Sequence, residues 1–282
     1  MQNVLNYFLD NLILTGLQIL LGFGPMLFLA FIMNFIAGFN EKMSYKLMGQ
    51  KSYLYTFGWL GTAVHELGHA FFALVFFHKI TDIQLFSPKG HGGSLGYVAH
   101  SYNKRNIYHR IGNFFIGLGP ILFGSLVLFF VAYLLFNLSF DKISSVQFDR
   151  KAMGSFQSFG HFLEDIFKLQ FEILRTIFYG SNSIWWKMLI FLYILFSVGS
   201  SVTLSKSDIS SSVGGFLFFV IVLLLFNLAT TWYSVISNTL FTYVTPLISI
   251  VNVLILFAML FNLIFSLILF PASILKSVIS GK

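Results

Sequence analysis

The stretch Leu60-Gly61-Thr62-Ala63-Val64-His65-Glu66-Leu67-Gly68-His69-Ala70-Phe71-Phe72 sets two imidazoles and one carboxylate into an otherwise apolar run. On a helix, side chains at i and i+4 share a face, so His65 and His69 can hold one ion while Glu66 flanks it. Neutral imidazoles are zinc ligands, and a neighbouring carboxylate is the base that takes a proton from an attacking water. With seven His and four Glu in 282 residues, the expected number of chance His-Glu-x-x-His matches is on the order of 10⁻³. A set of core polar residues satisfying one another is also a poor account, because ionisable side chains at bilayer depth are costly and as a rule functional.

The elements that must position these residues are read from composition and periodicity. The chain is 57% hydrophobic and only 10% charged, too little polar surface to cover a soluble globule of this length. The expected fold class is an all-α polytopic membrane protein with the lipid bilayer as its solvent, forming a single integral membrane domain over 1–282 with its core at 54–215. The net charge of +7 is spread over loops and helix ends, which points to membrane-surface anchoring and not to nucleic acid. There is no cysteine, so disulfides and thiolate ligands are excluded and any zinc must be held by nitrogen and oxygen.

About six transmembrane helices are expected: 12–37, 54–77, 111–136, 185–202, 213–232 and 247–270, with a polar connector over 39–53. After the second span, Ile83 and Leu85 alternate with polar neighbours, Ser87-Pro88-Lys89-Gly90 begins a glycine-rich turn, and 95–102 can return, which predicts a β-hairpin. His78, His91, His100 and His109 in this connector are expected at the surface. Between the third and fourth spans, Leu163, Ile166, Phe167, Leu174, Ile177 and Phe178 fall on one side of a helix, with Glu164, Lys168, Glu172 and Arg175 on the other. This predicts an amphipathic interfacial helix.

A catalytic zinc site takes three protein ligands and leaves a position open. If six spans alternate in direction, the connectors after the second and fourth lie on one side. That puts Asp208 on the side toward which the motif is displaced, and His161, Glu164, Asp165 and Glu172 on the other. Asp208 is the expected third ligand; the alternatives are a solvated loop aspartate or a helix cap.

With these residues in view, the chain resembles the site-2 protease family of intramembrane zinc metalloproteases. His65-Glu66-Leu67-Gly68-His69 inside a spanning helix is similar to that family's first motif, and a distant aspartate near another helix end to its second. The glycine-rich hairpin and Gly119-Pro120 are similar as well, and Ile209 stands where the family has glycine. The resemblance implies Zn²⁺ held by His65, His69 and Asp208, with Glu66 as general base and proton shuttle. It implies an endopeptidase acting on a transmembrane protein substrate. The alternative is a catalytically inactive, protease-like structural or regulatory subunit of a membrane complex. In the connector from His78 to Arg110, five of the six Lys, Arg and Asp are positive, so this face is expected in the cytoplasm, with the chain in a plasma or inner membrane.

Overall fold

In the computed structural model, residues 2–89, 94–139, 156–180, 182–231 and 234–280 are described. Helix α1 (Gln2–Met48) is followed by α2 (Gln50–Tyr53), a π-helical turn (Leu54–Gly58) and α3 (Trp59–Val75). A hairpin, β1 (Lys79–Gln84) and β2 (Tyr97–Ser101), leads to α4 (Ile107–Phe136), and α5 (Phe156–Tyr179), α6 (Trp185–Gly199), α7 (Lys206–Thr230) and α8 (Ser234–Ser280) complete the chain. Among the described residues, four helices are long and apolar enough to cross a bilayer, Val4–Met48, Ile107–Phe136, Lys206–Thr230 and Leu247–Ile279, and the chain is an integral membrane protein. The polar connector expected over 39–53 does not form. Glu41, Lys42 and Lys46 are good helix formers, and α1 runs on until Gly49, whose φ of 83° is left-handed backbone that suits glycine.

The other two expected spans are α3, of 17 residues, and α6, of 15, both short of the roughly 20 needed for a full crossing. Their directions correct the alternation assumed from the sequence. Along α4, Leu135 meets Lys187, Gly124 meets Val198 and Val202, Gly117 meets Asp208 and Ser212, and Gly215 packs on Phe114. Thus α6 and α7 both run antiparallel to α4, in series. They form one discontinuous rod, broken at 200–205, and not two opposed spans. Accordingly α8 runs parallel to α1: Gly22 lies by Ile248, Asn40 by Asn262 and Lys46 by Lys276. Among the described residues, four helices have the length and apolarity of a span where six were expected, and α6 and α7 share one direction.

Helix α4 is the centre, burying Phe114, Ile116, Leu118, Ile121 and Leu128. Lipid-facing helices gain little from the hydrophobic effect, and hydrogen bonds between helices help hold them. Asn227 of α7 donates to Thr15 Oγ1 and Gln18 Oε1 of α1, both at 2.8 Å. Farther along α1, Asn40 donates to Asn262 O at 2.9 Å and accepts from Ser266 at 2.6 Å.

The predicted hairpin is present and antiparallel, with Ile83 opposite Val98, Gln84 opposite Tyr97 and a bulge between Ile80 and Asp82. The tip of its turn, residues 90–93 with His91, lies outside the described residues. The hairpin folds back along α3, so that Phe86 and Leu95 pack with Tyr53, Leu54 and Phe196. Helix α5 has three faces: Ile166, Leu169, Ile173 and Ile177 are buried, while Phe167, Phe171 and Leu174 are exposed. The third is charged and carries the Lys168–Glu164 pair at 2.7 Å. A core face, an apolar open face and a charged face suit a helix lying at the membrane surface.

Candidate metal centre

Two glycines and a proline set the position of His69. A Cβ on Gly68 would stand 2.6 Å from Gly119 O, and one on Gly119 would stand 2.7 Å from Gly68 C. The backbones of α3 and α4 therefore touch as only glycine permits. The next residue, Pro120, has no N–H to give to the carbonyl four residues before it. That carbonyl, Ile116 O, is instead 2.7 Å from His69 Nδ1. Since a carbonyl can only accept, Nδ1 carries the proton and Nε2 keeps its lone pair.

His65 is fixed in the same way by the rod on α3's other side. Its Nδ1 lies 2.9 Å from Ser201 O, a carbonyl in the break between α6 and α7. Backbone outside a helix is tolerated at bilayer depth where protein buries it or it lines a polar cavity, and here it serves a histidine.

Asp208 sits in the first turn of α7. Ser205 is the N-cap and accepts from Asp208 N at 3.1 Å, while the Asp208 carboxylate accepts from Ser205 N at 2.8 Å. This reciprocal cap aims the remaining carboxylate edge at the histidines. His69 Nε2 lies 3.2 Å from Oδ1, and His65 Nε2 lies 3.6 Å from Oδ2. The cap and the approach to the histidines, alternatives in the sequence, coexist. His65, His69 and Asp208 offer donor atoms all within 4.8 Å of one another, the one such group among the described residues. His161, Glu164, Asp165 and Glu172 are not brought to it.

Glu66 is buried beneath the hairpin, where a Cβ on Gly96 would stand 2.7 Å from Glu66 Cγ. With His65 it lines an open cavity of about 340 Å³ between α1, α3, α6 and the hairpin.

One connector reading is corrected. His78 is 3% exposed, not a surface residue, because β2 returns over it and Tyr102 stacks on its ring. His78 Nε2–H donates to His109 O at 2.8 Å, so its Nδ1, 3.0 Å from His100 Nδ1, accepts from that ring. Burial lowers the pKa of both, that of His100 to about 4. The unfolded chain takes these protons below about pH 6.5 and the folded protein does not until lower pH. Stability therefore falls as pH drops from about 6.5 toward 4. Thermal unfolding in detergent should show this slope in wild type, and His100→Gln should flatten it. An unchanged slope in the variant would place the titrating groups elsewhere.

Fold and site together define a helical membrane protein with a largely buried His/His/Asp group at a helix break. Residues 43–142 match a family model described as Peptidase M50B-like, a model of the site-2 protease family. The match takes in His65, Glu66, His69, the hairpin and Pro120 and ends before Asp208. No curated protein and no solved structure matches the chain.

Proposed function

We propose that this protein is a zinc-dependent intramembrane endopeptidase that hydrolyses peptide bonds in or near a transmembrane segment of another membrane protein. The observation that carries this reading is the convergence of the His65, His69 and Asp208 donors within 4.8 Å, beside the buried carboxylate of Glu66. Two imidazoles with their far nitrogens held by carbonyls, together with one carboxylate, fit Zn²⁺ in both donor type and surrounding hydrogen bonds. His65 Nε2, His69 Nε2 and an Asp208 oxygen would hold the ion. When bound, zinc supplies a Lewis acid that acidifies water and polarises a carbonyl.

The chain's own residues supply the remainder. Glu66 takes a proton from the attacking water onto its carboxylate and passes it to the departing amine. Ser201 O and Ile116 O hold the imidazole protons on Nδ1. Each hairpin strand has one outer edge, and such an edge takes a locally unwound substrate as an added strand. The positive charge of the connector supports a cytoplasmic position for this side, with the chain in a plasma or inner membrane.

Purified protein is expected to hold about one zinc per chain and to cleave a transmembrane reporter in a chelator-sensitive way. Zinc without cleavage of any reporter would favour the inactive-subunit reading, and cleavage by metal-free protein would end the zinc assignment. A subtler outcome follows from the helix geometry. Pro120→Ala restores an N–H that competes with His69 for Ile116 O, and zinc affinity should fall about tenfold, the low end for partners of metal ligands. Unaltered affinity would show that the free carbonyl is incidental.

A further inference from the structure

The cavity that reaches His65 and Glu66 also reaches Glu41 on α1, Tyr53 and Phe57. Glu41 lies within one of the four apolar helices, where an ionisable group calls for a partner. Its carboxylate accepts from the Tyr45 hydroxyl, and it enters no ion pair among the described residues. Apart from His65 and Glu66 of the metal centre, the other polar lining is neutral, including Asn34, Thr62, Ser200 and Thr203, and can bond a peptide backbone but cannot balance a charge.

The distances suit a peptide. Helices α1 and α3 are antiparallel about Gly49, with the Tyr45 and Tyr53 rings 5.2 Å apart. Glu41 therefore lies toward the Tyr53 end of the cavity, and His65 is eight to twelve residues farther along the π-turn and α3. That is roughly 12–18 Å of helix rise, or four to five residues of extended chain. A bare inorganic cation would need several oxygen ligands, whereas Lys or Arg brings its own donors to a single carboxylate.

Resting on the peptidase reading above, we infer that Glu41 is the counter-charge for a basic side chain of the bound peptide, four to five residues from the bond that is cut. Glu41 is thus a specificity determinant and takes no part in the chemistry.

The test uses zinc-loaded full-length protein in detergent and a series of acetylated peptides bearing a hydroxamate at either end. Each peptide carries one Lys, or one neutral acetyl-lysine, at successive positions, and binding is measured by calorimetry. A Lys probe should bind roughly tenfold tighter than its acetyl-lysine partner at the position four or five residues from the hydroxamate. Glu41→Gln should bring that ratio to about one, while Glu41→Asp retains a preference. Equal binding of the two probe series at every position, or a ratio that survives Glu41→Gln, would overturn the Glu41 inference and leave the peptidase reading standing. Binding of no probe at all would overturn both.

Discussion

Glu66→Gln should leave zinc content and fold intact while lowering peptide-bond cleavage by a factor of roughly 10² or more, the usual scale for loss of a general base. Gln preserves the length and volume of a side chain that is packed under the hairpin, where the Gly96 backbone leaves no room beside Glu66 Cγ. His65 and His69 keep their carbonyl partners, Ser201 O and Ile116 O, so the donors that would hold the ion are undisturbed. What is lost is a carboxylate that can accept a proton. The measurement is single-turnover cleavage of a transmembrane reporter, with metal analysis on the same preparation. Full cellular function with Glu66→Gln would favour the structural-subunit reading. Loss of zinc or of folded protein would make Glu66 a ligand or a packing residue, and its catalytic role would have to be reassigned.

The local features of the site were legible because they are written in neighbouring residues. His65, Glu66 and His69 lie within one and a half turns, so helical periodicity alone puts them on adjoining faces. The hairpin was legible from its turn chemistry, and α5 from its charge spacing. What the sequence could not show is how separate elements meet. Asp208 was reached through an assumption of six alternating spans, and it arrives at the site by another route, at the break in a rod made of α6 and α7. The polar run at 200–212 looks like a surface connector in a hydropathy reading. Part of it turns inward, where Asp208 and Ser212 are buried: Ser201 O holds His65, and Ser205 caps α7 with Asp208. The role of Pro120 had a readable signal, a proline four residues after Ile116, but the partner of the freed carbonyl came from a helix some fifty positions earlier. Likewise, Glu41 stood in what looked like a solvated connector until α1 proved to continue through it.

Asp208→Ala and Asp208→Asn together should separate the two duties that the structure gives this residue. As a helix cap, the carboxylate accepts from Ser205 N at 2.8 Å, and Asn retains an oxygen that can do the same. Ala does not, at a cost of about 1 kcal/mol. As a metal ligand, the carboxylate contributes negative charge and an oxygen facing His69 Nε2 at 3.2 Å, and a neutral amide is a poor substitute. If Asp208 is a ligand, both variants should lose zinc affinity by roughly tenfold or more, and Ala alone should also lower thermal stability measured on the metal-free protein. If it is only a cap, Asn should match wild type in zinc binding and stability, and Ala should be less stable with zinc affinity unchanged. Metal titration and thermal unfolding of the two variants in detergent distinguish these outcomes. Wild-type zinc affinity in Asp208→Asn would remove Asp208 from the ligand set and leave His65 and His69 needing a third donor from elsewhere in the chain.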